Sequence, residues 1–119
     1  MKVLRIAVIF FLVIPTANAV SFNCAKAKTF VEKEICSNSQ LGKLDDALSE
    51  NYKGTLASNI GDGARKDLRA EQKKWLSERN KCTNNMCLID KYQKRVDEVC
   101  DYPVISGVAY SCVSSDEVQ

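Results

Sequence analysis

Apolar residues recur at helical spacing through most of the chain after residue 28. Leu41, Leu44, Leu48, Tyr52 and Leu56 are three or four positions apart, which places them on one face of a helix. Two later runs repeat this period and predict a third and a fourth helix. Their inward-facing positions are Ala64, Leu68, Gln72, Trp75 and Leu76 in the first run, and Leu88, Ile89, Tyr92, Val96 and Val99 in the second.

Local signals predict where these helices begin and end. The run from Thr29 to Glu32 has the form of a capping box, which predicts a short first helix that ends near Cys36. The second helix is expected to begin at Ser37 or Ser39. The segment 58–63 contains two glycines and an Asn, which favour a turn, and Asp62 is predicted to be the N-cap of the third helix. Residues 80–85 form a second predicted loop.

The last stretch has a different composition. Residues 102–110 are rich in β-branched and aromatic side chains and include Pro103 and Gly107, a pattern typical of an extended segment or hairpin. We expect this segment to fold back along the helices and residues 114–119 to fray. The sequence therefore predicts an all-α protein: a small, disulfide-stapled antiparallel helical hairpin or bundle of about four helices with an irregular C-terminal tail.

The first nineteen residues have the features of a secretory signal peptide. A positively charged start precedes an apolar run from Ile6 to Ile14, and Ala17-Asn18-Ala19 provides a cleavage site. The apolar run is shorter than the ~20 residues that span a bilayer, and the residues before Cys24 do not form a lipobox. We therefore expect a periplasmic or secreted protein without a membrane anchor. The predicted organisation is a signal peptide at 1–19, a helical domain at 20–100 and a disulfide-tethered tail at 101–119.

Six cysteines stand in this short chain, and export would place them in an oxidising compartment where disulfides form. Sequence alone leaves all the possible pairings open, but the spacing suggests three local couples. Each would close a short loop and stabilise the fold by about 3 kcal/mol. A zinc site is the alternative, although only one couple approaches the spacing of a zinc knuckle. We predict no metal or cofactor. The expected pairs are Cys24–Cys36, Cys82–Cys87 and Cys100–Cys112.

Composition excludes several classes of function. Lys and Arg total 17 against 15 Asp and Glu, and removing the two basic residues of the signal peptide makes the mature chain neutral. A neutral chain argues against nucleic-acid binding, which needs excess positive charge. The absence of histidine excludes a Ser-His-Asp triad, a Cys-His pair and a His-ligated zinc site.

Carboxylates and basic residues alternate along the second and third helices, so helical ion pairs are favoured over general acid–base chemistry. We therefore predict no enzyme activity. Residues 64–81 carry seven basic and three acidic side chains. This excess is either a site for an acidic partner or an intramolecular match for the acidic tail and three carboxylates of the second helix. Those three carboxylates belong to Asp45, Asp46 and Glu50.

Several short motifs occur in order along the chain, between about residues 22 and 98. The motifs are Phe22-x-Cys24-x-Lys26-Ala27, Val31-Glu32-x-x-Ile35-Cys36, Leu41-x-x-Leu44-Asp45, Tyr52, Gln72-x-x-Trp75-Leu76-x-x-Arg79-x-x-Cys82, Cys87-Leu88 and Tyr92-x-x-Arg95-Val96. Taken together, they resemble the LprI-type lysozyme-inhibitor family of small exported bacterial proteins.

The resemblance implies a helical, disulfide-bonded domain in the bacterial envelope and, for some members, inhibition of lysozyme. This chain departs from the family in two ways. It lacks the lipobox expected of the lipoprotein that names the family, and its Cys100–Cys112 tail lies outside the common pattern.

The favoured hypothesis is a protein that binds and inhibits a lysozyme. A lysozyme cleft holds two carboxylates, and a rigid loop with polar or basic residues would block it. The two interhelical loops, 58–63 and 81–85, are the natural protrusions. The alternative is an envelope adaptor, or an immunity-type protein against a secreted toxin, that does not inhibit lysozyme. The predicted partner-contacting residues are Arg79, Lys81, Thr83, Asn84 and Asn85.

Overall fold

The computed structural model describes residues 21–118, and the predicted signal peptide lies outside them. Four α-helices account for most of these residues, and no strand occurs between 21 and 118. The predicted all-α class is therefore confirmed. The helices are α1 (Phe30–Ser37), α2 (Ser39–Ala57), α3 (Asp62–Arg79) and α4 (Asn85–Glu98), with short 3₁₀ turns at Cys24–Lys26 and Ser115–Glu117.

Side-chain caps fix the starts of three helices. Thr29 Oγ1 accepts the backbone N–H of Glu32 at 3.1 Å, as the predicted capping box requires. Asn38 caps α2 and Asn84 caps α4 in the same way, each through its side-chain oxygen. These caps explain why α1 and α2 remain two separate helices although they are almost contiguous in sequence.

The start of α3 differs from the prediction. Asp62 is its first helical residue, and the N-cap is Gly61, whose φ of +89° lies in the left-handed region that glycine adopts without strain. The Asp62 carboxylate instead accepts a hydrogen bond from Arg65 at 2.9 Å. The prediction that Asp62 is the N-cap was therefore wrong by one residue, because the sharp reversal after Ile60 needs the glycine.

The last three helices run alternately up and down. Side-chain contacts join residue 45 to 92 and residue 51 to 96, so α2 and α4 run parallel. Contacts from 79 to 92 and from 72 to 95 show that α3 runs antiparallel to α4. The closest helix pair is α2 with α4, and α1 packs against α2. Helix α3 is therefore antiparallel to both α2 and α4, as predicted.

The core follows the predicted apolar faces. Burial of a large aliphatic side chain stabilises a fold by about 1.5–3 kcal/mol, and every helix contributes to this core. Leu76, expected on the inner face of α3, lies instead partly exposed at the edge of a groove. The buried aliphatic and aromatic residues of the helices are Val31, Ile35, Leu41, Leu44, Ala47, Leu48, Leu68, Leu88, Tyr92 and Val96.

All three predicted disulfides are present. Their Cα–Cα distances of 5.8, 5.6 and 6.3 Å are typical of disulfides. Cys24–Cys36 ties the N-terminal 3₁₀ turn to α1, and Cys82–Cys87 ties the α3–α4 turn to the first turn of α4. Cys100–Cys112 closes the tail into a loop. Each bond therefore holds a non-helical segment.

The tail folds back along the helices as expected, in an irregular path rather than a hairpin. Asn51, fully buried on α2, accepts the backbone N–H of Val113 at 2.9 Å and donates to its carbonyl oxygen at 2.8 Å. The expectation that the end frays was wrong for residues 114–118. Ser115 binds the carboxylate of Asp97 through both its backbone N–H and its hydroxyl, and Val118 is buried.

Gly54 gives the tail room to dock on α2. A Cβ built on Gly54 would collide with the ring of Tyr110, whereas a Cβ on Gly63 of α3 would meet nothing within 4 Å. Both glycines lie within helices, where alanine is favoured by about 1 kcal/mol. The two positions therefore differ mainly in the tail contact.

We expect Gly63→Ala to raise the free energy of unfolding by up to about 1 kcal/mol. Gly54→Ala should give no such gain, because its methyl group displaces Tyr110. Urea unfolding compares the two variants, and limited chymotrypsin digestion reports release of Tyr110. Equal stabilisation by both substitutions, with unchanged digestion of the tail, would contradict the close docking of Tyr110 on Gly54.

Candidate functional site

A buried polar network lies where α3 leads into α4, directly beneath the turn predicted to contact a partner. The Tyr92 hydroxyl donates to Asp45 Oδ1 at 2.8 Å and accepts from Arg79 Nη1 at 3.0 Å. The backbone N–H of Ser21 donates to Asp45 Oδ2 at 2.6 Å. Asp45 is only 3% exposed. Its carboxylate has lost its hydrating water, and these donors take the place of that water. The network thus joins α2, α3, α4 and the N-terminal segment.

Trp75 completes this cluster from the side. Its ring meets the Tyr92 ring edge-on at a centroid distance of 5.0 Å, and the Arg79 guanidinium carbon lies 5.8 Å from the Trp75 centroid. Both contacts are favourable for aromatic rings. The Arg79 side chain is buried and reaches Asp45 only through Tyr92.

The environment of Tyr92 keeps its hydroxyl protonated. Burial raises the pKa of Tyr92 far above its ordinary value, and the nearby Asp45 carboxylate raises it further, while Arg79 lowers it. The protonated hydroxyl is the form that donates to Asp45. Nothing in this arrangement leaves Tyr92 free to exchange a proton with a substrate.

The α3–α4 turn is held rigidly on this network. Asn80 Oδ1 accepts from Arg79 Nε at 3.2 Å and from Arg79 Nη2 at 3.0 Å. Cys82 is buried and bonded to Cys87, and Asn84 Oδ1 accepts the backbone N–H of Cys87 at 2.9 Å. The turn therefore has a fixed backbone on both sides of its tip.

The predicted contact residues have different positions on this turn. Lys81, Thr83 and Asn84 are exposed, and Lys81 forms a salt bridge with Glu78 at 3.0 Å. Asn85 is half-buried, and its Oδ1 has no hydrogen-bond partner within the described part of the chain. Arg79 supports the turn from beneath. Sequence reasoning did not include Met86, which is 82% exposed beside the turn.

A groove of about 320 Å³ runs between α2 and α3. Leu48, Tyr52 and Trp75 form its apolar floor, and Arg69 and Lys73 stand at its edge. These two basic residues and Lys66 form no salt bridge with any residue between 21 and 118. No salt bridge in residues 21–118 joins a carboxylate of α2 or the tail to α3, so the direct intramolecular pairing expected for the basic helix is not formed. Asp45 points inward to Tyr92, and only this hydroxyl links it to Arg79.

The described residues contain no group of three or more cysteine or acidic side chains that could hold a metal ion. Every cysteine in that part of the chain is in a disulfide. None of the helices described is long and apolar enough to cross a membrane.

Replacing Tyr92 with Phe should lower the free energy of unfolding by about 1–3 kcal/mol, because it removes the hydrogen-bond partner of Asp45 Oδ1 and of Arg79 Nη1 in the interior. Urea denaturation of the oxidised protein measures the change. Asp45→Asn combined with Tyr92→Phe completes a double-mutant cycle, in which the effects should be far from additive. A loss below about 0.5 kcal/mol would show that the Tyr92 hydroxyl is not needed to satisfy these two groups.

The tyrosines also predict alkaline unfolding. Burial, and then a hydrogen bond donated to Glu71, raise the pKa of Tyr102 to about 12, and the pKa of Tyr92 is raised further in the same direction. In the unfolded chain both hydroxyls ionise near pH 10, so stability is complete below that pH and is lost as pH rises toward and beyond 12. Absorbance at 295 nm reports all four tyrosines. The difference between the wild type and a Tyr92→Phe or Tyr102→Phe variant, measured with circular dichroism, should show each of these two hydroxyls un-ionised until unfolding. Ionisation of both near pH 10 in the folded protein would contradict this.

Comparison with known proteins adds one finding. The family model described as Lysozyme inhibitor LprI matches residues 23–99, which include α1 to α4 and two of the three disulfides. No curated protein and no solved structure gives a significant match to the chain. The family match spans well over half of the sequence and contains the whole Asp45–Tyr92–Arg79 network. The chain therefore belongs to the LprI lysozyme inhibitor family.

Proposed function

We propose that this protein is an exported inhibitor that binds a lysozyme-type muramidase in the bacterial envelope and blocks its cleft without chemistry of its own. The observation that carries the proposal is the family match over residues 23–99. The signal-peptide features of residues 1–19 agree with the envelope, the compartment in which an invading lysozyme is met.

The scaffold suits inhibition by binding. An inhibitor loses affinity when its loops must be ordered at the moment of contact, and a pre-ordered loop avoids that loss. Here the α3–α4 turn is fixed by Cys82–Cys87, by the Asn84 cap and by Arg79 beneath it. The tail is fixed by Cys100–Cys112 and by Asn51. Both ends of the bundle therefore present rigid surfaces.

A binding role also accounts for the way the reactive groups are used. The chain has no histidine, and the cysteines at 24–112 are all oxidised. Asp45, the most deeply buried carboxylate described, accepts hydrogen bonds from the Tyr92 hydroxyl and the Ser21 backbone N–H. We therefore propose no enzyme activity.

The contact surface proposed from the sequence is the α3–α4 turn. Lys81, Thr83 and Asn84 are available at its surface, and Asn85 lies beside them. Arg79 would act by supporting the turn, so its replacement would combine a loss of stability with any loss of binding. Lys81→Ala and Thr83→Ala test this surface without touching the network.

The oxidised protein beginning at Val20 should inhibit lysis of a peptidoglycan suspension by at least one of the chicken-, goose- or invertebrate-type lysozymes, with one-to-one stoichiometry. The measurement is turbidity clearance, with binding followed by calorimetry. The control is the same protein reduced and alkylated, which should lose most of the inhibition because its loops are no longer fixed. If no lysozyme is bound or inhibited by the oxidised protein, the proposed function is wrong, and an envelope adaptor or immunity protein becomes the better hypothesis.

A further inference from the structure

The tail forms a second candidate recognition surface, at the end of the bundle opposite the α3–α4 turn. We call residues 101–111, closed by Cys100–Cys112, the C-terminal loop. This loop lies outside the residues matched by the family model. Helix α3, whose 18 residues span about 27 Å, separates it from the turn. One cleft cannot receive both surfaces.

The base of the C-terminal loop is pinned to the helices. The backbone N–H of Ile105 donates to the Asn59 carbonyl at 2.7 Å, and Asn59 Nδ2 donates to Ser106 Oγ at 2.7 Å. Tyr110 packs on Gly54 on the other side. Between these anchors Gly107 turns the chain with a φ of +85°. The crest, residues 105–110, is therefore held in one shape.

This crest exposes apolar side chains. Val108 is 94% exposed, and Ile105 is 72% exposed although the end of its side chain lies close to Gly61. Isolated exposed apolar residues are ordinary, but neighbouring ones on a pinned loop are typical of an interaction site. Residues 102–111 carry no charged side chain, while the Ser106 and Ser111 hydroxyls can donate hydrogen bonds. A sugar-binding cleft takes apolar faces together with hydrogen-bonding groups.

One side of the C-terminal loop is acidic. Glu98 and Asp101 line a depression beside the loop together with Asp67 and Glu71 of α3, and Arg95, which also lines it, is buried and paired with Glu98. We call these four carboxylates the acidic rim. Negative charge beside an uncharged crest complements a basic partner, and it raises the rate of association with that partner.

We propose that the crest of the C-terminal loop is the part that enters the muramidase cleft, with the acidic rim steering a basic muramidase toward it. This inference rests on the proposed function and assigns its contact surface. The uncharged crest avoids repulsion from the two cleft carboxylates, and the acidic side chains face the basic surface around the cleft. The α3–α4 turn is then a structural connection.

Two matched substitutions test the assignment. Val108→Asp and Met86→Asp each place a carboxylate on a highly exposed apolar position, one on the crest and one beside the α3–α4 turn. Val108→Asp should raise the inhibition constant at least about tenfold, whereas Met86→Asp should change it by less than about twofold. Circular dichroism and thermal unfolding should be the same for both variants and the wild type, since neither side chain is packed.

The outcomes separate this inference from the function itself. Inhibition unchanged by Val108→Asp, or weakened only by Met86→Asp, would overturn the crest assignment and leave the inhibitor proposal standing. A wild-type protein that binds no lysozyme would overturn both. As a second measurement, Asp101→Lys should slow association by about tenfold at low salt and by much less at high salt. An association rate unaffected at low salt would overturn the role of the acidic rim.

Discussion

The hydrogen bond from the Tyr92 hydroxyl to the Asp45 carboxylate is the constraint on which the end of the bundle at the α3–α4 turn depends. A carboxylate 3% exposed on α2 is tolerated only if donors surround it. Those donors come from α4 and from the backbone of Ser21, and Arg79 of α3 completes the arrangement. Removing the Tyr92 hydroxyl leaves Asp45 Oδ1 and Arg79 Nη1 unsatisfied in an apolar setting, which costs more than the bond itself contributes. The relative positions of three helices and the N-terminal segment are therefore fixed together.

Asn51, six residues further along α2, has the same role at the opposite end. It donates to the carbonyl of Val96 on α4 as well as pairing with both backbone groups of Val113. An amide side chain can satisfy a donor and acceptors at once, which lets an irregular tail lie on a helix without a β-ladder. The apolar core drives the helices together, whereas these two polar side chains of α2 position the segments that are not helical.

These two residues also mark the limit of what the sequence predicts. Helical period predicted α2, α3 and α4, the capping box at Thr29 predicted the start of α1, and cysteine spacing predicted all three disulfides. Asp45, Asn51 and Arg79 could not be assigned to the interior, because period alone treats a charged or amide residue as part of the solvent face. The ordered end of the tail was missed for the same reason, since it depends on the side chains of Asn51 and Asp97, which are distant in sequence.

The buried network also changes which charges are available at the surface. Arg79 is buried beneath the α3–α4 turn, and Lys81 is paired with Glu78. The turn therefore exposes less unpaired positive charge than its sequence suggested. At the opposite end Asp67 and Asp101 are exposed and form no salt bridge with any residue between 21 and 118, while Arg95, the last basic residue of the chain, is turned inward to Gln72 and pairs with Glu98. Long-range attraction depends on exposed, unpaired charge. The way the core satisfies its own polar groups thus leaves the acidic end as the one suited to attract a basic protein.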